Sequence, residues 1–300
     1  MVSRSDMAKP IALVTGASGF TGRYVCHALQ QAGYAVHGWT HEAGESANFQ
    51  QVDLTNCKQV HEAVRRLSPE VVVHLAAISF VAHGDVDAIY RVNVVGTRNL
   101  LEGLAMLPKP PKRVLLASSA NIYGNVEGVI DEDVCAAPQN DYAVSKLAME
   151  HMARLWCRQL PITITRPFNY TGVGQSEKFL MPKIVSHFRR KADVIELGNL
   201  DIWRDFYDVR HVASIYARLL DVESNCDVYN ICSGKEYSLR QAIAMMEQIS
   251  GHTMEVRVNP AFVRPNEVSH LRGGPKKLAA HIGGLPGFSL GDTLRWMYKE

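Results

Sequence analysis

An α/β fold with a doubly wound parallel sheet and a smaller C-terminal lobe is predicted by three observations. Short apolar runs alternate with helical stretches along the first half of the chain. Residues 71–76 form a nearly continuous apolar run, which is typical of a strand buried on both faces of a parallel sheet. The first apolar run, residues 11–15, ends in a glycine-rich turn that opens a helix. This rhythm indicates right-handed crossovers and helices on both sides of the sheet.

The predicted elements follow one another in regular order. We expect strands at residues 11–15, 34–39, 49–52, 71–76, 113–117 and 162–165. We expect helices at residues 19–33, 58–67, 86–106 and 141–159. Together these elements predict a first domain over residues 1–165.

The sequence becomes less regular after Arg166. It contains glycine-rich loops and two further helical stretches, residues 182–191 and 239–250. We assign residues 166–300 mainly to the smaller lobe, with a segment at about 205–232 that returns to the sheet.

Composition excludes several classes of partner. The 300 residues are 47% apolar and 21% charged, as in an ordinary globular protein. The formal net charge is +2 and no concentrated basic patch is present, so nucleic acid is not expected as a partner. The most apolar stretch, residues 71–81, is roughly half the ~20 residues that a membrane-spanning helix needs, so no membrane span is predicted.

The spacing of the cysteines bears on metal binding and on the cellular compartment. The six cysteines show neither CxxC pairs nor histidine partners at zinc-finger spacing, so no metal site is predicted. Residues 1–9 are polar and lack the apolar core of a signal peptide. We therefore expect reduced thiols and a cytoplasmic protein.

Gly16, Gly19 and Gly22 stand three residues apart where the first strand meets the first helix. The first permits a tight turn, the second lets backbone N–H groups approach a pyrophosphate, and the third allows close packing of the helix. The helix N-terminus adds partial positive charge that favours the anion. This placement predicts a dinucleotide site, and a purely structural turn is the alternative.

Tyr142 and Lys146 begin the helical stretch 141–159 and lie one turn apart on the same face. A lysine cation beside a tyrosine stabilises the phenolate, so the pair can exchange a proton near neutral pH. The strand at residues 113–117 ends in the segment SSANIYG, residues 118–124. A buried tyrosine and a solvated helix lysine are the structural alternative.

The GxxGxxG turn, the SSANIYG segment and the YxxxK pair resemble, in order and context, those of the extended short-chain dehydrogenase/reductases. The resemblance covers nearly the whole chain and is strongest from residue 11 to 210. It implies a Rossmann fold, a nicotinamide cofactor, and catalysis by Ser119, Tyr142 and Lys146. It also implies that the cofactor lies against Gly16, Ser18, Gly19, Phe20, Thr21, Gly22, Thr40, Asp53, Leu54, Leu75, Ala76, Ala77, Asn93, Tyr142, Lys146 and Pro167.

The choice between NADP and NAD stays open. An NAD site usually places a carboxylate at the end of the second strand, where this chain has Trp39 and Thr40. Glu42 is displaced from that position, and His41 or Arg23 could accommodate a 2′-phosphate. We therefore favour NADP slightly.

The two residues that directly follow the predicted catalytic serine, Ser119, indicate which type of reaction is catalysed. In the nucleotide-sugar 4,6-dehydratases of this family they carry the acid and base that remove water. Here they are Ala120 and Asn121, which cannot exchange a proton at neutral pH. Dehydration is disfavoured, which leaves oxidation or reduction at a ring carbon, or 4-epimerisation.

Residues 166–176 resemble the RPFNHxGPGQS segment of the GDP-4-keto-6-deoxy-mannose reductases and their dehydratase relatives. Tyr170 and Val173 depart from that pattern, which puts the sugar in doubt more than the nucleotide diphosphate. Residues 198–209 and 264–268 resemble two further segments of these enzymes. The resemblance implies a nucleotide-sugar substrate held by Ser79, Asn169, Lys183, Arg204, Arg264 and Glu267.

Several candidate residues have a structural alternative. Asp53 could cap the next helix instead of lying beside the adenine. His74 is expected to pack within its strand. Arg204 could form a structural ion pair, and Arg264 could be a surface loop residue.

The function implied by the resemblance is NAD(P)H-dependent reduction of the C4 ketone of a nucleotide-diphosphate 4-keto-6-deoxyhexose. The expected case is GDP-4-keto-6-deoxy-mannose converted to GDP-rhamnose. Tyr142 would protonate the alkoxide, Lys146 would polarise Tyr142, and Ser119 would orient the carbonyl.

Other interpretations of the sequence remain. A nucleotide-sugar 4-epimerase would use the same residues with tightly bound NAD. A non-catalytic dinucleotide-binding sensor is a distant alternative. Sensors commonly lose the tyrosine or the lysine, and this chain has both. Relatives form a four-helix dimer interface with the helices at 86–106 and 141–159, so we expect a homodimer.

Overall fold

The computed structural model describes residues 9–42, 47–79, 84–223, 226–263, 269–284 and 287–300. The chain divides into two compact units. The first comprises residues 1–122, 138–166 and 213–229. The second comprises residues 123–137, 167–212 and 230–300. Among the described residues, none of the helices combines the length and apolar character needed to cross a membrane.

The strands and helices have the following bounds. The strands are β1 (Ile11–Thr15), β2 (Ala35–Thr40), β3 (Phe49–Gln51), β4 (Val71–His74), β5 (Arg113–Ala117), β6 (Gly128–Ile130), β7 (Ile162–Pro167), β8 (Asn169–Thr171), β9 (Val194–Leu197), β10 (Trp203–Asp208), β11 (Asp227–Ile231), β12 (Glu236–Ser238), β13 (Glu255–Val258) and β14 (His270–Gly273). The α-helices are α1 (Phe20–Gln31), α2 (Cys57–Leu67), α3 (Val86–Tyr90), α4 (Thr97–Ala105), α5 (Asp141–Arg154), α6 (Leu180–Arg189), α7 (Val209–Leu219), α8 (Leu239–Ser250), α9 (Lys276–Ile282) and α10 (Leu290–Lys299).

The first unit is built on the predicted sheet, whose seven strands lie in the order β11–β7–β5–β4–β1–β2–β3. β1 pairs in parallel with β2 and β4, and the parallel pairing continues through β3, β5 and β7. The direction of winding reverses between β1 and β4. Open α/β sheets bind their ligands at the carboxyl ends of the strands at this reversal. The predicted doubly wound fold is confirmed.

Burial on both faces explains why the central strands are apolar. Adjacent residues of a strand point to opposite faces, and Leu13 and Val14 of β1 are both completely buried, as are Val72 and Val73 of β4. Leu13 and Val72 belong to one cluster with Leu100 of α4. Each such side chain contributes about 1.5–3 kcal/mol when it is removed from water.

The predicted helix at 86–106 is not α-helical throughout. A π-helical turn, Arg91–Gly96, joins α3 to α4. Asn93 lies inside this turn, buried, and its side-chain amide exchanges two hydrogen bonds with the backbone of Ile78. A π turn shifts the helical phase, often at a functional position. Sequence periodicity does not reveal it, because the contact with residue 78 is non-local.

Two of the cysteines that the sequence predicted as reduced thiols lie side by side. Cys157, which follows α5, faces Cys226, which precedes β11, and their Cα atoms are 5.8 Å apart, a separation that allows a disulfide. The free cysteines are Cys26, Cys57, Cys135 and Cys232.

The second unit has its own sheets and core. β12, β10, β14 and β6 lie side by side in that order, and β8 pairs with another part of β10. β9 and β13 form a separate two-stranded sheet. Helices α6, α8 and α10 pack together around an apolar cluster that contains Phe188, Met246 and Leu294.

A buried ion pair ties α5 to the end of β7 in the first unit. Arg166 donates from Nε to Glu150 Oε1 at 3.0 Å and from Nη2 to Glu150 Oε2 at 2.7 Å. Both side chains are buried. Arg154 also donates to Glu150, at 3.4 Å. Two parallel bonds to one carboxylate fix the angle between the helix and the strand as well as the distance.

Removing one partner of this pair leaves a charge buried without compensation. We expect Glu150→Gln to lower the free energy of unfolding by about 3–5 kcal/mol, measured by guanidinium denaturation. The double variant Glu150→Met with Arg166→Met should recover most of the loss, because no unpaired charge remains. The control is Glu255→Gln, which breaks the exposed pair of Glu255 with Arg257 and should leave stability unchanged. Equal losses in the Glu150→Gln and Glu255→Gln variants would contradict this account.

Candidate active site

The glycine-rich turn has the shape that a pyrophosphate requires. Gly16 has φ +70°, and a Cβ there would lie 2.9 Å from the backbone nitrogen of Ala76. Gly19 is the N-cap of α1 and has no side chain with which to cover the helix end. A Cβ on Gly22 would collide with the carbonyl of Gly16. No side chain therefore caps the N-terminus of α1, whose first turn contains Phe20, Thr21 and Gly22, and the glycine-rich turn fits a dinucleotide.

The end of β2 lacks the carboxylate that binds a ribose 2′-hydroxyl. Trp39 packs in the core of the first unit, and the hydroxyl of buried Thr40 donates to the carbonyl of Glu42. Glu42 is exposed beyond the strand. Arg23 donates from Nε to the carbonyl of exposed Ser18 at 3.0 Å, so its guanidinium lies beside the glycine-rich turn.

Asp53 does not cap α2. Its Oδ1 accepts from the backbone N–H and the hydroxyl of Thr55, both at 2.8 Å. Asn56 is the N-cap of α2 and accepts from the N–H of Gln59. The helix-cap alternative for Asp53 is therefore wrong, and its carboxylate lies exposed, next to buried Leu54.

A chain of hydrogen bonds crosses the centre of the first unit. The N–H of Ala76 donates to Thr15 Oγ1 at 3.2 Å, and Thr15 Oγ1 lies 2.7 Å from His74 Nδ1. His74 Nε2 lies 2.8 Å from Thr97 Oγ1, which itself donates to the carbonyl of Asn93 at 2.7 Å. Because the Thr97 hydroxyl donates to Asn93, Nε2 of His74 donates to Thr97. Burial lowers the pKa of His74 to about 3, so at neutral pH the ring is neutral and its Nδ1 accepts from Thr15.

These hydrogen bonds continue from Asn93 to α5. Asn93 Nδ2 donates to Ser145 Oγ at 3.0 Å, and Ser145 Oγ donates to the carbonyl of Tyr142 at 2.7 Å. The side chain of Asn93 also holds Ile78, which follows the predicted cofactor residues Leu75, Ala76 and Ala77. These bonds fix the loop after β4 relative to the first turn of α5.

The predicted catalytic residues all belong to the first unit. Asn140 caps α5 by accepting from the N–H of Ala143 at 2.9 Å, so Tyr142 lies in the first turn. Lys146 Nζ donates to the carbonyl of Ala117, the last residue of β5, at 2.7 Å. Ser119 follows two residues later, and its Oγ accepts from the N–H of residue 121 at 3.1 Å. The first turns of α5 are thus attached to the strand end that carries the serine.

Burial gives Lys146 an unusual acidity. Its side chain is buried, which lowers the pKa of Lys146 to about 8, while the negative charge of Glu150 opposes the shift. At neutral pH the ammonium remains mainly protonated, and it lies in surroundings of low polarity, where a charge acts more strongly on nearby groups than it does in water. Tyr142 itself is nearly buried, 8% exposed.

Among the predicted substrate residues, Asn169 and Arg204 come to neighbouring strands of the second unit. Asn169 is exposed at the start of β8, and β8 pairs in parallel with β10, where Asn169 faces Phe206. Arg204 lies two residues earlier on β10 and donates to the carbonyls of Trp203 and Ser269. Pro167, a predicted cofactor residue, ends β7 just before β8.

The other predicted substrate residues differ in what surrounds them. Lys183 Nζ donates to the carbonyl of Glu196 at 2.7 Å and lies 4.6 Å from the centre of the Phe262 ring. Ser79 is exposed in the loop after β4. Arg264 and Glu267 lie outside the described residues.

Asp205 takes its hydrogen bonds from a loop of the second unit. It accepts from Ser233, through the N–H at 3.0 Å and the hydroxyl at 2.8 Å, and from the N–H of Gly234 at 2.8 Å. Burial raises the pKa of Asp205 to about 6 in spite of these bonds. The three hydrogen bonds that the Asp205 carboxylate accepts hold the loop after β11 in place.

Three residues of this arrangement were not predicted as functional. Ser145 and Glu150 lie on α5 beside the predicted catalytic pair. The sequence could have indicated Glu150, because it lies one helical turn after Lys146 and has the opposite charge. Thr97 could not be found from sequence, because its role depends on contact with His74 across the fold.

One protein-family model matches most of the chain. Residues 12–232 match the model of the NAD dependent epimerase/dehydratase family. The chain belongs to this family, and it is an NAD(P)-dependent oxidoreductase of the extended short-chain dehydrogenase/reductase type.

Two relatives and one solved structure resemble the chain over nearly its whole length. The chain is 38% identical to the GDP-6-deoxy-D-talose 4-dehydrogenase of Aggregatibacter actinomycetemcomitans, over 96% of this chain and 97% of that one. It is 32% identical to the GDP-6-deoxy-D-mannose reductase of Pseudomonas aeruginosa, over 96% and 95%. A solved structure of RMD from Pseudomonas aeruginosa complexed with NADPH superposes with a TM-score of 0.85 at 30% identity, over 97% of each chain.

The neutral state of His74 predicts a pH-dependent stability. Burial, and secondarily the charge of Lys146, lower the pKa of His74 to about 3, from 6.5. Between these pH values the unfolded chain binds a proton that the folded chain does not. The free energy of unfolding therefore falls with falling pH, by up to about 1.4 kcal/mol per unit.

Comparison of the wild type with His74→Gln isolates this contribution. The difference in unfolding free energy between the two proteins should shrink steadily from pH 6.5 to 4.5 in denaturant titrations. Asp205 acts in the opposite direction because its pKa is raised, but it is present in both proteins and cancels. His41→Gln removes an exposed imidazole as the control. A difference that stays constant with pH would contradict the assignment.

Proposed function

We propose that the protein reduces the C4 ketone of GDP-4-keto-6-deoxy-mannose with NADPH. The observation that carries the proposal is the attachment of α5, with Tyr142 and Lys146, to the end of β5 that leads to Ser119. Support for the sugar comes from two relatives whose names specify a GDP-6-deoxyhexose. NADPH is favoured because β2 ends without a carboxylate and a similar structure holds NADPH.

The proposed step uses each residue differently. Bound NADPH supplies the hydride that the ketone carbon receives. Tyr142 donates its phenolic proton to the ketone oxygen as negative charge develops there, and Ser119 donates a hydrogen bond to the same oxygen. Lys146 stabilises the tyrosinate that remains, so the pair avoids the high cost of an isolated phenolate.

The substrate's diphosphate requires cations and N–H donors. We propose Arg204 and Asn169 as two of these donors, since the register of β8 against β10 places them on neighbouring strands. The planar guanidinium of Arg204 matches two phosphate oxygens at once. Ser79, Lys183, Arg264 and Glu267 remain predicted substrate contacts.

The configuration of the product at C4 distinguishes two outcomes. Talose and mannose differ only at C4, so the same reduction gives GDP-rhamnose or GDP-6-deoxy-talose according to which face of the ketone receives the hydride. The sequence favours the first product, and the higher identity to the talose enzyme favours the second. The coupling between the C3 and C4 protons of the product, read by NMR, separates them.

Replacing the proton donor tests the proposed chemistry. Tyr142→Phe should lower kcat for NADPH oxidation by roughly 10²–10⁴-fold while leaving NADPH binding intact, because only the proton transfer is lost. Tyr34→Phe, which removes a hydroxyl 3.5 Å from Asp221, should retain full activity. The assay mixes protein, NADPH and enzymatically generated GDP-4-keto-6-deoxy-mannose and follows nicotinamide absorbance.

Other outcomes of this assay identify the alternatives. No NADPH oxidation, together with NAD released from the denatured protein, would indicate a 4-epimerase. Full activity in Tyr142→Phe would overturn the assigned role of the tyrosine. No turnover of any GDP- or UDP-hexose would favour the non-catalytic sensor.

We also propose a homodimer. Val95 in the π turn and Val144 on α5 are 45% and 38% exposed, and the two segments pack against each other. Exposed apolar side chains on adjoining helices suit an interface between two copies.

Sedimentation analysis tests the dimer. The wild type should sediment as a dimer, and Val144→Glu should sediment as a monomer because a carboxylate would be buried without a partner. Val129→Glu, at a valine 53% exposed on β6, should remain dimeric. A wild-type monomer would refute the proposal.

A further inference from the structure

Three side chains with metal-binding atoms meet between α2 and α4. Cys57 is the first residue of α2, His61 lies one turn later on the same helix, and Glu102 projects from α4. All three are partly buried, with 26% of the His61 side chain and 30% of the Glu102 side chain exposed. The ligating atoms all lie within 4.8 Å of one another.

Two of the three ligand separations are close to the edges of a tetrahedral zinc site. His61 Nε2 is 3.5 Å from Cys57 Sγ and 3.8 Å from Glu102 Oε2. Zinc bonds of about 2.0–2.3 Å in a tetrahedron separate the ligand atoms by about 3.3–3.7 Å. The third separation, between Cys57 Sγ and the Glu102 carboxylate, is within 4.8 Å, so rotation of the side chains brings the three atoms around one ion.

A glycine makes room for the imidazole. A Cβ on Gly103, the residue after Glu102, would lie 3.1 Å from His61 Cδ2 and 3.6 Å from His61 Cα. Any larger residue would push the ring away from α4 and from the carboxylate. Gly103 therefore allows α2 and α4 to approach closely beside the three side chains.

The same contacts argue against a proton relay. In a cysteine–histidine–acid triad the thiol and the acid use different nitrogens of the ring. Here Cys57 Sγ lies 3.5 Å from Nε2 of His61 and 3.9 Å from Nδ1, and Glu102 also contacts Nε2. Cys57 and Glu102 thus have the same nearest ring nitrogen, which suits a cation bound through Nε2 better than a relay across the ring.

We propose that Cys57, His61 and Glu102 bind a zinc ion that joins α2 to α4. A thiolate, an imidazole and a carboxylate together suit Zn²⁺ better than the oxygen-seeking Mg²⁺ or Ca²⁺. Water completes the tetrahedron, since the cluster is open to solvent. Arg98 Nη1, 3.7 Å from Glu102 Oε2, is half exposed and can turn into solvent when the ion enters.

Cobalt provides the direct probe of the three ligands. Titration of the untagged, reduced full-length chain with Co²⁺ should produce one equivalent of a tetrahedral spectrum with a thiolate charge-transfer band. Zn²⁺ should displace it and raise the Tm. Cys57→Ser should abolish the thiolate band, and Glu102→Gln should weaken zinc binding at least about tenfold.

A matched cysteine gives the control. Cys135→Ser, at an exposed cysteine outside the cluster, should bind both metals as the wild type does. Circular dichroism of the metal-free variants checks that each is folded. A thiolate band that survives in Cys57→Ser, an unchanged affinity in Glu102→Gln, or the absence of one-equivalent binding by the wild type would overturn the proposal. None of these results depends on the sugar chemistry.

Discussion

The first unit depends on one continuous network of buried hydrogen bonds that begins at the glycine-rich turn and ends at α5. It passes from Thr15 through His74 to Thr97, and from Asn93 through Ser145 to the carbonyl of Tyr142. Each bond contributes about 0.5–1.5 kcal/mol, but a buried donor left unpaired costs about 1–3 kcal/mol. This network of hydrogen bonds therefore tolerates few substitutions. It holds the glycine-rich turn and Tyr142 at a fixed separation.

This constraint explains two features that would otherwise be unfavourable. Burial, and secondarily the charge of Lys146, keep His74 neutral, and Thr15 and Thr97 satisfy both of its ring nitrogens. The π turn persists because it brings Asn93 to both Ile78 and Ser145. Lys146 and the pair of Glu150 with Arg166 then attach the same helix to β5 and β7. Positioning within the first unit is thus achieved by polar contacts as well as by the apolar core.

The sequence predicted the sheet, the glycine-rich turn and the YxxxK pair because each depends on local spacing. It did not predict the π turn or Thr97, whose roles arise from contacts between distant segments. It assigned Asp53 a possible capping role that belongs to Asn56. The cluster of Cys57, His61 and Glu102 escaped the search for zinc-finger spacing, because its third member comes from another helix.

The transfer of the label from deuterated NADPH tests the central claim most directly. Reaction of GDP-4-keto-6-deoxy-mannose with NADPH carrying deuterium at the transferable position should place one deuterium at C4 of the product sugar. This result follows if the site delivers hydride to the ketone carbon while Tyr142 supplies a solvent-derived proton to oxygen. A product without deuterium at C4, or one labelled at another carbon, would contradict the account.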